Sequence, residues 1–270
     1  MDVSRSGFHS WMKVQSVCKN AEIDAKLLAA IQDAHQLGRR VCGARKIRTI
    51  LADQEIKAGL RKVRRLRREN GIVCLQKKPF RVSTTDSKHD EPISPNLLNQ
   101  TFNETTEPNQ VWVTDITYIP TQEGWLYLAG VKDLHTCEIV GWSMDEVMNK
   151  ELVMQALRAA YNNKRPAAGL IHHSDHGSQY CSSAYRGLLD AYGMRSSMSR
   201  KGNCYYNAPM ESFWGALKNE SLHHMELATR EEAKAAVFDY IEIFYHAIRP
   251  HQKLNNLTPR KFVEMCDSKP

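Results

Sequence analysis

VWVTDITYI (111–119) decides the reading of this chain, because it reads as a β-strand with an acid at its centre. Period two places Val111, Val113, Asp115, Thr117 and Ile119 on one face of a β-strand. Two more strand-like segments follow at short intervals, WLYLAGVKDL (125–134) and EIVGWSM (138–144), with Gly124 in the first turn. Such spacing predicts an antiparallel meander. Downstream, GLIHHS (169–174) returns to the sheet and a brief strand falls near 194–198. Helices are predicted at 149–162, 182–192, 207–221 and 230–246, the last with Ala233, Val237, Tyr240, Ile241, Phe244 and Tyr245 on its apolar side. Strands alternating with helices make this an α/β unit.

Two further acids stand in distinctive surroundings. Asp175 follows a strand within LIHHSDHGSQY, and Glu211 lies 36 positions later on a predicted helix within NAPMESFWGALKNE. A phosphodiester resists attack because its negative charge repels the nucleophile. Two metal ions overcome this by activating the attacking oxygen and stabilising the departing one. Magnesium prefers hard oxygen ligands, so three carboxylates suit two Mg2+ ions, with Mn2+ as a substitute. Asp115 is the expected bridging ligand, joined by Asp175 from a neighbouring strand end and Glu211 from the helix. Polynucleotidyl transfer is therefore the leading reading. His172, His173 and His176 would admit zinc, but they flank a carboxylate at a sheet-end loop. Asp133, His135 and Asp145 rank lower, since KDLHTCE reads as a strand end entering a turn. Any one of these acids alone would be an ordinary strand or helix residue; their joint context carries the reading.

Around the acids lie candidate DNA contacts. Gly177 permits a tight turn that presents Ser178 and Gln179 to a DNA backbone. Arg195, Arg200 and Lys201 precede the glutamate helix and would guide DNA toward it. Asn207 is placed to cap that helix. Lys218 lies seven residues after Glu211, on nearly the same face, within reach of a phosphate. Met210, Phe213, Trp214 and Leu217 form the helix's buried side.

The chain has 270 residues, 42% hydrophobic, with a formal net charge of +7, enough for a packed core and favourable to anionic partners. The charge is concentrated: residues 39–81 carry 15 Lys or Arg against 3 Asp or Glu, leaving the rest of the chain net acidic. Three helices are predicted before and within this stretch, at 22–37 with Ile23, Leu27, Leu28, Ile31 and Leu37 apolar, at 44–52, and at 60–69. Ser4 or Ser6 would cap part of another helical element before them. Arg61, Arg64, Arg65 and Arg68 stay outside while Leu60, Val63 and Leu66 pack, a helix-turn-helix-like DNA-binding pattern. The resulting layout is a basic helical region at 1–75, a polar linker at 76–108, a catalytic core at 109–222 and a helical extension at 223–270. Seven scattered cysteines form no CxxC pair, and there is no apolar leader or run of 18 apolar residues. These features point to reduced thiols, a cytoplasmic location and no membrane partner.

Taken together, WVTDITYI, HSDHGSQY and NAPMESFWGALKNE resemble the transposases of a large class of bacterial insertion sequences, in particular the downstream-frame product called OrfB. The 35 residues between Asp175 and Glu211 fit that family's DD(35)E arrangement. The resemblance extends from VSRSGFHSWMK through GRRVCGARKIR and VRRLRRENGI to FYHAIRPHQKLNNLTPRKF, whose Arg249, His251, Leu254 and Pro259 are assigned to structure or DNA contact. Tyr206 stands where the family commonly has Asp, and His246 where Asn usually follows the tyrosine. The resemblance implies an RNase H-like mixed sheet flanked by helices, preceded by a small helix-turn-helix-like domain. It implies a transposase that cuts and joins double-stranded DNA at the element's terminal repeats and in a target. It also implies a homo-oligomer on DNA and a protein partner from an upstream frame, joined by frameshifting. The alternatives are a DNA-binding regulator or inactive partial transposase, and a stand-alone RNase H-like nuclease.

Overall fold

The computed structural model describes residues 4–75, 94–98, 105–199 and 208–268, and within its first helix omits the side chains of residues 10 and 13–20. Two compact units divide at Gln76 and Lys77. Among the described residues no helix is long and apolar enough to cross a membrane.

The first unit holds α1 (Arg5–Leu37), α2 (Ala44–Asp53) and α3 (Leu60–Glu69). The sequence predicts a helix from residue 22 and a separate element before it. Instead α1 runs for 33 residues without a break, capped by Ser4 Oγ, which accepts from the Gly7 N–H at 3.1 Å. No proline interrupts the run, so the helical ladder continues. Leu27, Ile31 and Ala34 of α1 pack on Ile47, Ile50 and Leu51 of α2 and on Val63 and Leu66 of α3. Ile23 and Leu37, expected inside, are exposed, because the stripe at 27, 31 and 34 is the one that meets both partner helices. Leu60 is half-buried. Arg61, Arg64 and Arg68 lie exposed on the outer face of α3. Arg65 is committed to Asp24 and Glu69, and Lys62 also reaches Asp24 at 2.6 Å. Hydrogen bonds from Lys62 and then Arg65 hold the Asp24 carboxyl below its ordinary range.

The second unit is built on one sheet. Its strands are β1 (Val111–Thr121), β2 (Gly124–Asp133), β3 (Ile139–Asp145), β4 (Ile171–Ser174) and β5 (Arg195–Met198), in the order β3-β2-β1-β4-β5. The first three form the expected antiparallel meander, and β4 and β5 add in parallel to β1. The helices are α4 (Lys150–Lys164), α5 (Ser178–Cys181), α6 (Ser183–Ala191), α7 (Ala208–Glu220), α8 (Arg230–Phe238) and α9 (Pro259–Asp267). Residues 94–98, inside the expected linker, lie against β5: the Leu97 N–H donates to Ser197 Oγ at 2.9 Å and Leu98 is buried.

Strand alternation divides the core between two faces. Trp112, Ala129 and Val131 look toward α4, α5 and α6. Asp115 and Gly130 look the other way, toward α7. The predicted helix at 230–246 becomes a π-helix over Asp239–Tyr245. The wider turn puts residues five apart on one side. Tyr240 and Tyr245 thus both face inward, as do Ile241 and His246.

On the other face, α4 crosses β3 at Gly141, where a Cβ would lie 2.3 Å from the Ala160 nitrogen and 2.5 Å from the Ala156 carbonyl oxygen. Only backbone opposes it, so the helix itself must move to admit a side chain. Gly141→Ala is expected to lower stability by roughly 1–3 kcal/mol or more through overpacking, read as a fall in the urea midpoint.

Candidate active site

Asp115 sits mid-strand in β1, paired across the ladder with Gly130. The β1–β4 register couples Val113 to His173, so Asp175, just past the end of β4, comes off the sheet level with Asp115. Its Oδ1 accepts the Gly177 N–H at 2.9 Å. A Cβ at Gly177 would stand 3.1 Å from that same oxygen and from Gln179 Oε1, a tight fit. Glu211 arrives from above, exposed on the first turn of α7.

What seats α7 is the bare surface of Gly130. A Cβ there would meet Trp214 Cη2 at 2.8 Å and Met210 Cε at 3.2 Å. The indole lies over this glycine and donates from Nε1 to Asp115 Oδ2 at 3.1 Å. The sequence places Trp214 correctly in the buried side of its helix but does not reveal this hydrogen bond. The available signal was position: Trp214 lies one turn from Glu211, on the same side of the helix.

The three acids feel one another. Asp115 is partly buried, and its carboxyl is pushed well above the usual carboxylate range, first by removal from water and then by the Asp175 charge, with Glu211 adding to it. Hydrogen bonds from the Ile116 N–H and the Trp214 indole pull the other way. Among the described residues, no three His, Cys, Asp or Glu side chains are gathered tightly enough to hold a metal ion. The acids are thus near enough to repel but not drawn together. Lys218 stands close by, half-buried, its Nζ 4.5 Å from the centre of the Tyr118 ring. Burial lowers the Lys218 pKa while Asp115 pulls it up.

Both ends of α7 are tethered. At its start, the buried Lys132 of β2 donates to the Pro209 carbonyl at 3.1 Å and lies 5.9 Å from the centre of the Phe213 ring. At its end, Arg249 grips Glu220 through two bonds of 2.6 and 2.7 Å, and the Tyr240 hydroxyl donates to the same carboxylate at 2.8 Å. Three residues of the terminal motif take part in packing here. Arg249 anchors α7, Leu254 is buried, and Pro259 opens α9 behind the Thr258 cap. His246 has a role too, its Nε2 accepting the Ile139 N–H at the start of β3 at 3.1 Å.

Other expected contacts fall elsewhere. Ser178 and Gln179 lie in the short helix α5, not an open turn, and the Gln179 amide donates to the Met148 carbonyl at 3.4 Å. Arg195 is exposed, but it begins β5 beside Ile171, at the end of the sheet away from Asp175. His172 and His173 are buried against Tyr185 and Ser197 rather than turned to the acids, and burial lowers the His172 pKa to about 3. Asp133 is a turn organiser, accepting from the N–H groups of Asn109, His135 and Thr136. Asp145 likewise accepts from Glu146 and Val147, while His135 meets the Thr105 carbonyl. Arg200, Lys201, Tyr206 and Asn207 lie outside the described residues.

Residues 105–204 and 192–259 match two models of an integrase core domain, and residues 22–80 match an HTH-like domain. An uncharacterized 31 kDa protein of insertion element IS600 from Shigella sonnei is 52% identical over 262 residues, covering 97% of this chain and 95% of its own. The transposase for IS904 of Lactococcus lactis is 40% identical, covering 89% of this chain and 93% of its own. Transposase InsF for IS3A of Escherichia coli K12 is 36% identical, over 96% and 90% respectively. Among solved structures, the cryo-EM structure of a simian T-cell lymphotropic virus intasome in complex with PP2A regulatory subunit B56 gamma contains a similar chain. Its TM-score is 0.51 at 14% identity, over 85% of this chain and 72% of that one, a likeness of fold.

Lys132 offers a test of the tether at the start of α7. It is 4% exposed, and burial lowers its pKa from 10.5 to about 8. Between these values the unfolded chain holds a proton that the folded chain has released, so stability rises with pH there. Compared with Lys132→Met, the unaltered protein should gain up to ~1.4 kcal/mol per pH unit across this window, measured as the difference between the two urea titrations.

Proposed function

The chain belongs to the IS3-family insertion-sequence transposases, polynucleotidyl transferases that act on DNA, and on that premise we propose that Asp115, Asp175 and Glu211 are its catalytic acids. The observation that carries this reading is their placement: the β1–β4 register sets Asp175 level with Asp115, and Glu211 stands one turn from Trp214, whose indole bonds Asp115; burial first, then the Asp175 and Glu211 charges, raise the Asp115 carboxyl. Three hard oxygen donors facing one another suit a divalent cation, which would draw them together and relieve their repulsion. These three residues would hold two Mg2+ ions, with Mn2+ as a substitute; bound there, the ions activate the attacking oxygen and stabilise the departing one. Glu211, exposed at the start of α7, has the rotamer freedom to close on the other two.

The remaining parts divide the work. Trp214 orients Asp115, and the turn at Gly177 orients Asp175. Lys132 and Arg249 fix the helix that carries Glu211. Water attacks at an element end and frees a 3′ hydroxyl, which then attacks a target phosphodiester. The region 1–75 holds the DNA ends through Arg61, Arg64 and Arg68, while 109–222 supplies the chemistry and 223–270 braces α7. Two ends must be joined in one reaction, so the working form is a homo-oligomer on DNA, completed by an upstream-frame partner.

The acid cluster predicts opposite effects on stability and activity. Asp115→Asn removes a charge the fold resists, so at neutral pH its melting temperature should equal or exceed that of the unaltered protein. Metal-dependent nicking of duplexes carrying the element ends should be lost in this variant, and equally in Asp175→Asn and Glu211→Gln. Added Mg2+ or Mn2+ should raise the melting temperature of the unaltered protein and not that of Asp115→Asn. An equal shift in both proteins would place the metal elsewhere.

A further inference from the structure

Pairing between β1 and β4 stops at Val113, while β1 continues to Thr121. Beside this outer half of β1 lies a cavity of about 580 Å3. Tyr118, Trp125, Tyr127, Met148 and Leu222 line it, with Lys218 on one wall. Trp125 is 49% exposed and meets Tyr118 edge-on, ring centres 4.8 Å apart. Such an exposed aromatic cluster marks a binding surface.

Two links connect the cavity to the acids. Lys218 interacts electrostatically with Asp115 while lying against the Tyr118 ring. Met148 takes a hydrogen bond at its carbonyl from Gln179, four residues after Asp175. The ligand that fits is flat and apolar, with an anionic group at the Lys218 side, next to a centre that handles phosphodiesters. A nucleotide has that form: its base presents a π-face for aromatic stacking and its phosphate meets a lysine. A base paired inside a duplex cannot enter a pocket, so the occupant must be unstacked.

We propose that this cavity receives one unpaired base of the DNA end, stacked against Trp125 and Tyr118, with Lys218 on the phosphate of the same nucleotide. The proposal rests on the reading of the acids as a DNA-processing centre. It makes Trp125 and Tyr118 positioning residues that hold the end for attack.

The test is a binding cycle on the full chain in metal-free buffer, with duplexes of the element's own terminal sequence. Terminal nucleotides are replaced by an abasic residue one position at a time, and each duplex is titrated against the unaltered protein and Trp125→Ala. Trp125 is half-exposed and its ring contact with Tyr118 is lost, so the melting temperature should fall by only a few degrees and the variant should remain folded. Trp125→Ala should weaken binding to the intact duplex about tenfold. At one terminal position the abasic change should weaken the unaltered protein by a similar factor and Trp125→Ala no further, with Trp125→Phe restoring most of the affinity. Additive losses at every position, or unchanged binding, would overturn the proposal. A changed sedimentation of the free variant with unchanged DNA binding would assign the cavity to a second copy and overturn it as well. Coupling at one position without Mg2+-dependent nicking would uphold the pocket while removing the catalytic reading of the acids.

Discussion

Gly130 faces Asp115 across the β1–β2 ladder, and the absence of a side chain there lets α7 lie on the sheet. Any Cβ would meet the Trp214 ring at 2.8 Å. Because the ring rests on that spot, its N–H reaches Asp115 and Glu211 is carried one turn away on the same helix. The rest of the unit secures this contact. Lys132 holds the first turn of α7, and Arg249 with Tyr240 holds the last. The π-helix turns Tyr240 and Tyr245 inward together, so the tail returns close enough for Arg249 to reach Glu220.

This geometry is held against an electrostatic cost. Burial and two neighbouring acids raise the Asp115 carboxyl, and Lys132 is kept in the interior at a depressed pKa. A buried ion pair contributes little net stability, but losing one partner leaves an uncompensated charge. The Arg249–Glu220 pair is therefore better understood as fixing the position of α7 than as a source of stability. Apolar packing supplies that stability on both faces, with α4 and α6 on one and Met210, Phe213, Leu217, Ile241 and Phe244 on the other. The second face adds to its apolar packing the charged and positional demands of the site.

Much of this was legible in the sequence because it depends on short-range pattern. The strand pattern around Asp115 located β1 and the face it presents, and Ala233, Val237, Tyr240, Ile241, Phe244 and Tyr245, expected on the apolar side of 230–246, were all found inside. Local pattern failed where a distant partner decides the outcome. Whether Ile23 or Ala34 faces inward depends on where α2 and α3 dock, which no helical period records. Gln179 and Arg195 had suitable chemistry, but one bonds Met148 and the other starts a strand at the far end of the sheet. Lys132 was visible only as a basic residue inside an apolar strand, and its partner Pro209 lies 77 positions away. The glycines were equally mute: 130 and 141 look alike in sequence, yet one seats a tryptophan ring and the other a helix backbone.

On the proposed reading, one acid centre transfers a DNA strand rather than merely hydrolysing it. The most direct measurement supplies pre-cut element ends bearing a labelled 3′ hydroxyl, an unlabelled supercoiled target and Mg2+ or Mn2+, and follows the label. Label covalently joined to target by the unaltered protein, and absent with Asp175→Asn, is the predicted result. Target nicking with no transfer of label, on ends that the protein demonstrably binds, would contradict it and leave a nuclease.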